Sequence, residues 1–203
     1  MYVPRKLQME AEQCIKFIER YPFGLLLSQN PLQATHVPFT LHKDEEQNVF
    51  LQCHFAKANP HWHDIDGTEV LIVFSGPHAY ISPSWYQQQP AVPTWNYAAV
   101  HVKAKATLLP MHANADVTEA LLEKFESDNR DNEAIFQTAH LEKLNRAIVS
   151  LRLDITAIQG KAKLGQDRTE ADQVGVIDAL KNNQSPEDMV YLDFLEAWGK
   201  QNN

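Results

Sequence analysis

The chain has 203 residues, 44% of them apolar and 22% charged, enough apolar material for one substantial buried core with a small appendage. Its longest apolar runs, such as residues 70–74, are far too short to cross a bilayer as a helix, which excludes a helical membrane protein. A net charge of −8 repels phosphate backbones at long range, so direct nucleic-acid binding would require a locally basic surface that the sequence does not display.

Residues 8–20 carry Ile15, Phe17 and Ile18 near helical spacing and predict a helix, which Pro22 stops. Residues 23–28 form a short apolar run suited to a buried strand. Residues 34–41 alternate apolar and polar side chains as its hairpin partner, with Asn30-Pro31 in the turn. A third strand is expected over 48–54 after the acidic turn at 43–47. Residues 57–66 suit a short helix, and 69–74 make the β-branched, aromatic run of a central strand. Gly76-Pro77 marks a break before a short strand at 78–81. Residues 97–108 alternate over a long stretch, with Val100, Val102, Ala104 and Ala106 on one face and His101, Lys103, Lys105 and Thr107 on the other, the pattern of an antiparallel barrel wall. Helices are predicted at 116–125 and 140–147, followed by a strand at 148–158 with Leu151, Leu153 and Ile155 in period two. Two further helices are predicted at 168–182 and 185–198. Ser185-Pro186-Glu187-Asp188 opens the second with an N-cap, a proline and an acidic first turn in order. Six or more strands with helices at the edges describe an α+β antiparallel barrel rather than a parallel βαβ sheet. Residues 1–160 are expected to form the barrel domain, and 161–203 a C-terminal helical extension packed on the barrel or on a partner subunit.

Cys14 falls on the first helix and Cys53 on a strand, far apart in sequence and without a partner at metal-ligand spacing, as buried free thiols. Met1 to Lys6 have no apolar stretch of the signal-peptide kind behind them, so a cytoplasmic location is expected. Three segments carry residues that folding alone does not require. In His54-Phe55-Ala56-Lys57-Ala58-Asn59-Pro60-His61-Trp62 a lysine leaves a strand beside backbone amides, which reads either as an anion clamp or as a solvated loop lysine. The others are Gly76-Pro77-His78-Ala79-Tyr80-Ile81-Ser82-Pro83-Ser84-Trp85-Tyr86 and Val92-Pro93-Thr94-Trp95-Asn96-Tyr97. Their aromatics and hydroxyls, on proline-stiffened backbone, suit a flat heteroaromatic ligand such as isoalloxazine, or equally an aromatic subunit contact. His61 and His63 would share a face only on an extended strand, and no carboxylate or cysteine completes a metal-ligand set. His36 projects opposite Val37 and is the better ligand-facing histidine.

Together these segments resemble the PaiB family of FMN-binding negative transcriptional regulators. The match also includes Tyr21-Pro22-Phe23-Gly24, Ala34-Thr35-His36-Val37-Pro38 and Lys161-Ala162-Lys163-Leu164-Gly165-Gln166-Asp167-Arg168, so that it runs in order through most of the chain. The resemblance implies an FMN-binding split β-barrel with peripheral helices, a homodimer, and FMN near the subunit interface. It implies that Lys57, with the Ala56 and Ala58 amides, meets the FMN phosphate. Thr35, His36 and His54 would line the pocket from neighbouring strands. Tyr80, Ser82, Trp85, Thr94, Trp95 and Asn96 would supply ring contacts and hydrogen bonds, and Lys163 and Arg168 would reach the site or the partner subunit. The sequence departs from the family pattern in having lysine at 57 where arginine is usual, and Gly165 and Asp167 where serine and asparagine are usual. No set of catalytic residues is identifiable. The output implied is transcriptional control, against which the acidic composition argues as far as direct DNA contact is concerned. The alternatives are an FMN-dependent oxidoreductase or flavin reductase, and last a haem-binding barrel with an axial histidine.

Overall fold

A computed structural model of the chain describes residues 1–129, 132 and 135–202. The elements in chain order are β1 (Gln8–Met9), α1 (Ala11–Arg20), β2 (Phe23–Gln29), β3 (Leu32–Pro38), β4 (Thr40–Lys43), β5 (Val49–Ala56), β6 (Glu69–Ile81), β7 (Thr94–Leu108), α2 (Asn114–Glu126), α3 (Thr138–Asn145), β8 (Ile148–Lys163), α4 (Glu170–Asn183) and α5 (Pro186–Asn202). Short 3₁₀ turns at Pro60–Asp64 and Pro83–Trp85 follow β5 and β6. Among the described residues the strands form one sheet in the order β3-β2-β6-β7-β8-β5-β4, with β1 beside β8. The chain divides into two compact units: unit 1, made of Met1–Glu10, Ser75–Ala99 and Gly160–Asn203, and unit 2, made of Ala11–Phe74 and Val100–Gln159.

Unit 2 is built on antiparallel pairs. β2 lies between β3 and the first half of β6, with Leu26 opposite both Thr35 and Ile72, and β5 lies between β4 and β8, with Cys53 opposite Leu151. Period-two alternation sends one face of each strand into the core: Leu51, Cys53 and Phe55 from β5, Leu151 and Leu153 from β8, and Val100, Val102, Ala104 and Ala106 from β7 are all buried. Cys14, Phe17 and Ile18 add the inner face of α1. Each fully buried large apolar side chain contributes about 1.5–3 kcal/mol. Both cysteines are buried thiols, and burial pushes the Cys53 thiol up, so it behaves as a small apolar residue.

Three sequence expectations change. The helix predicted over 8–20 starts only at Ala11, because Gln8 and Met9 pair as a strand with Lys161 and Gly160, and Met9 is buried there. The strand predicted over 34–41 divides at Phe39. That ring is buried edge-on to Phe74 while its backbone N–H donates to the Pro22 carbonyl at 2.9 Å, so the chain turns a corner from β2's side to β5's. The break expected at Gly76-Pro77 does not occur: β6 runs unbroken from Glu69 to Ile81. β2 pairs with β6 only as far as Phe74, so the missing N–H of Pro77 interrupts no bond to β2.

Unit 1 joins the second half of β6 and the start of β7 to α4 and α5. Thr169 caps α4 by accepting from the Asp172 N–H at 3.3 Å, and Ser185 caps α5 by accepting from the Asp188 N–H at 3.1 Å. Ile81, Tyr86, Ala98, Val176, Leu180, Tyr191 and Phe194 are its buried core. α4 lies directly on the loop after β6. A Cβ on Gly175 would sit 2.3 Å from the Trp85 carbonyl oxygen, which leaves no room for any side chain at that position. The buried Asp172 accepts from the backbone N–H groups of Gln87 and Gln88 at 2.8 and 3.0 Å.

Candidate functional site

In unit 2 the candidates gather around the turn after β5. Lys57 is exposed, and its ammonium makes no ion pair among the described residues. Its backbone is fixed on both sides: its N–H donates to the Ala147 carbonyl at 2.8 Å, and its carbonyl accepts from Trp62 Nε1 at 3.0 Å. Asn59 caps the 3₁₀ turn by accepting from the His61 N–H at 3.0 Å, and its Nδ2 donates to Thr35 Oγ1 on β3 at 3.3 Å. His61 is 3% exposed, with its ring 5.2 Å from Phe55; its Nδ1 lies 2.7 Å from Thr35 Oγ1 and its Nε2 lies 2.9 Å from Ser28 Oγ. Burial holds this imidazole below the ordinary histidine range.

The structure thus brings Thr35 and Lys57 to one turn, and sends His36 and His54 elsewhere. His36 follows Thr35 and therefore points to the opposite sheet face, where it stacks on the exposed Phe23 at 5.9 Å. His54 pairs with Ser150 across the β5–β8 ladder, so their side chains share a face. Among the described residues, His54 Nδ1 and Ser150 Oγ are both buried without a hydrogen-bond partner, as is Oδ1 of Asn114 at the start of α2. Asn114 Nδ2 meanwhile donates to the Ile148 and Asn145 carbonyls at 3.0 and 2.8 Å. Burial holds His54, too, below the ordinary range.

In unit 1 the aromatic candidates form an open cluster. Tyr80 and Trp95 are 44% and 54% exposed with ring centroids 5.9 Å apart, Trp85 stands edge-on to Tyr80 at 6.5 Å, and His78 flanks Trp95 at 5.7 Å. Ser82 caps the Pro83–Trp85 turn through the Ser84 N–H, and its hydroxyl lies 2.8 Å from that of Ser84. The Lys163 ammonium donates to the Thr94 hydroxyl. Asn96 is buried and faces a cavity of about 490 Å³ that also meets Arg168, Val176, Leu192 and Glu196. The Arg168 guanidinium lies 4.2 Å over the Tyr86 ring. Asp167, the departure from the family pattern beside Arg168, pairs instead with Lys6 at 2.5 Å. Gly165 has φ +81°, a left-handed conformation that would strain the serine usual there.

Sequence reasoning passed over Ser28, Asn59, His61 and Asp172. His61 entered as part of the Lys57 segment and as half of a metal pair, not as a buried hydrogen-bonding residue, whereas its neighbour His63 packs tilted against Trp62 with centroids 3.9 Å apart. The Thr169-x-x-Asp172 spacing before an apolar helix is the signal that could have found Asp172.

Comparison with known proteins identifies the family and the fold. The family model described as "Putative FMN-binding domain" matches residues 1–157. Protease synthase and sporulation protein PAI 2 of Bacillus subtilis is 36% identical over 203 aligned residues, covering 97% of each chain. The solved structure of the flavocytochrome Anf3 from Azotobacter vinelandii superposes with a TM-score of 0.60 at 13% identity, over 85% of this chain and 78% of that one. That of the FAD and heme binding protein from Mycobacterium smegmatis gives 0.61 at 15% identity, over 82% and 78%. At these identities both speak for the fold, an antiparallel split barrel with peripheral helices.

Proposed function

The chain belongs to the family described as "Putative FMN-binding domain", and from that premise we propose that it is an FMN-binding split-barrel protein of the PaiB type whose output is negative control of transcription. The observation that carries the reading within the fold is the Lys57 turn: an uncommitted ammonium on a backbone fixed by Ala147 and Trp62 is the donor a phosphate requires. Thr35 adds a half-buried hydroxyl to the same turn. In unit 1, the exposed faces of Tyr80 and Trp95 and the edge of Trp85 suit a flat ring, with Ser82, Thr94, Asn96, Lys163 and Arg168 as polar neighbours. His36 and His54 belong to the proposed set with the weakest support, since one stacks on Phe23 and the other has its free nitrogen buried. When bound, FMN supplies electron or hydride transfer; these residues bind and orient it.

The reading includes a cytoplasmic homodimer. Val174, Met189 and Val190 leave apolar side chains exposed on α4 and α5, as an uncovered interface would. No described helix is long and apolar enough to cross a membrane. The net charge of −8 favours a second reading, an FMN-dependent oxidoreductase or flavin reductase, in which no nucleic acid is touched.

An absorption spectrum and FMN titration of the wild type beside Lys57→Ala test the cofactor. Saturable uptake by the wild type, weakened about tenfold or more in the variant, is the expected result for loss of a charge-assisted phosphate contact. A folded wild type that takes up no FMN sinks the reading. Salt-dependent retardation of a promoter fragment separates a DNA-contacting regulator from an enzyme that turns over NAD(P)H with FMN.

A further inference from the structure

The proton inventory around His61 fixes a direction that heavy-atom positions alone leave open. Ser28 Oγ carries one proton and donates it to the Pro31 carbonyl at 2.8 Å. Ser28 Oγ therefore meets His61 Nε2, 2.9 Å away, as an acceptor, and Nε2 carries a proton. The His61 N–H donates to Asn59 Oδ1, which orients the Asn59 amide so that Nδ2 faces Thr35 Oγ1 as a donor. In a neutral ring protonated on Nε2, Nδ1 is a bare lone pair, so Thr35 must direct its single hydroxyl proton onto it across 2.7 Å. The whole chain then runs one way on each side of the ring: Asn59 to Thr35 to Nδ1, and Nε2 to Ser28 to Pro31.

The surroundings keep the ring neutral. From β2 it meets Ser28, from β3 Thr35, from β5 the Phe55 ring and from its own turn Asn59. None of these groups is charged, and among the described residues burial is what lowers its proton affinity. Thr35 Oγ1 has given its proton to His61 and one lone pair to Asn59, which leaves a single lone pair on a half-buried side chain.

We propose that His61 is a positioning residue that makes Thr35 an acceptor-only contact, so that Thr35 takes a hydroxyl or N–H donor of the bound flavin and rejects its phosphate. This rests on the FMN reading above. Phosphate oxygens are acceptors at neutral pH and are left to Lys57, two residues ahead of the Asn59 cap. Protonation of His61 reverses the polarity at Thr35: Nδ1–H then donates to Thr35 Oγ1, the hydroxyl keeps its proton but turns it away from Nδ1, and Thr35 becomes a donor.

Two measurements test this. Nitrogen-15 NMR of histidine-labelled apoprotein at pH 7.5 reads the tautomer without any ligand. A neutral His61 ring protonated on Nε2 is expected; protonation on Nδ1 alone, or an imidazolium, overturns the assignment. Fluorescence titrations of FMN and riboflavin then compare wild type, Thr35→Ser and Thr35→Val. Thr35→Val is expected to weaken both flavins by the same factor, about five- to tenfold, the size of one hydrogen bond, with Thr35→Ser close to wild type. A loss confined to FMN puts the phosphate at Thr35 and overturns the proposal. Lowering the pH until the nitrogen-15 shifts report the His61 imidazolium is expected to shrink the wild-type advantage over Thr35→Val for riboflavin, and a ratio that stays constant through that transition breaks the link to His61. A wild type that binds neither flavin overturns the FMN reading itself, and the ligand-free tautomer measurement still decides the polarity of Thr35.

Discussion

The turn that carries Lys57 is held by a neutral network around His61, and the loop that carries Trp85 is held by the carboxylate of Asp172. Both devices tie a segment after a strand to its surroundings through side chains distant in sequence, and both are buried. They differ in what they transmit. A neutral relay has a direction, set by which atoms bear protons, and one added proton reverses its Thr35–His61 bond without moving a heavy atom. A carboxylate only accepts; its bonds to backbone N–H groups are charge-assisted and stronger, but carry no direction to reverse. One region is built for selectivity and the other for retention.

The largest effects should come from the loop contact at Gly175 and from the His61 network. Gly175→Ala ought to gain about 1 kcal/mol from helix propensity, yet its Cβ would collide with the Trp85 carbonyl, and we expect a net loss of about 1–3 kcal/mol. Urea denaturation gives the sign, and a gain in stability would mean that α4 does not rest on the loop. His61→Ala should cost about 2–4 kcal/mol, because it leaves a cavity and takes a partner from both Ser28 and Thr35. His61→Gln should cost less. Asp172→Ala should lower Tm further than Asp172→Asn, which keeps an acceptor for Gln87 and Gln88; equal losses would show that charge rather than acceptor geometry holds the loop.

The two regions should also separate by pH. Burial depresses His61 in the folded state, so the unfolded chain binds more protons. The stabilisation is complete above the ordinary histidine range near 6.5 and declines as pH falls toward the folded value. His42 and His54, also depressed by burial, act in the same window, so His61→Gln should remove only part of that slope. The Gln88 N–H chiefly, with Thr169 and Gln87, holds the Asp172 carboxyl below its usual range against the opposing effect of burial. Its stabilisation is present above about pH 4 and is lost as pH falls through the depressed value. Thermal melts across pH 8 to 3 should therefore show two declines, and Asp172→Asn should reduce only the lower, in part, because Asp44 and Asp167 are also held below their usual range. The smallest effect is expected for Lys57→Ala, which touches neither device and should shift stability by less than about 0.5 kcal/mol.

Much of the barrel was legible because period-two burial was written into the strands: the alternation from Val100 to Ala106 is the alternation of burial in β7. What escaped was decided by distant partners. Gln8 and Met9 read as helix until β8 supplies Gly160 and Lys161, and Gly76-Pro77 reads as a break unless the end of the β2 pairing is known. The site divides the same way. Lys57 and the aromatic cluster stand out as residue types that a core does not need. His61, by contrast, shows its role only when Ser28 and Thr35, 33 and 26 residues away, close on its two nitrogens. His36 illustrates the limit of alternation, which gave its direction, opposite Val37, but not the Phe23 ring that meets it there.

The bonds to Asp172 bear on hydrogen exchange as well. Gln87 and Gln88 lie in a loop, where amide protons ordinarily exchange with solvent in moments, yet theirs are donated into a buried carboxylate on α4. Their exchange with deuterium must wait for α4 to lift, so these two loop amides time the detachment of a helix. Anything that grips the neighbouring Trp85 ring and slows that detachment will be recorded in them.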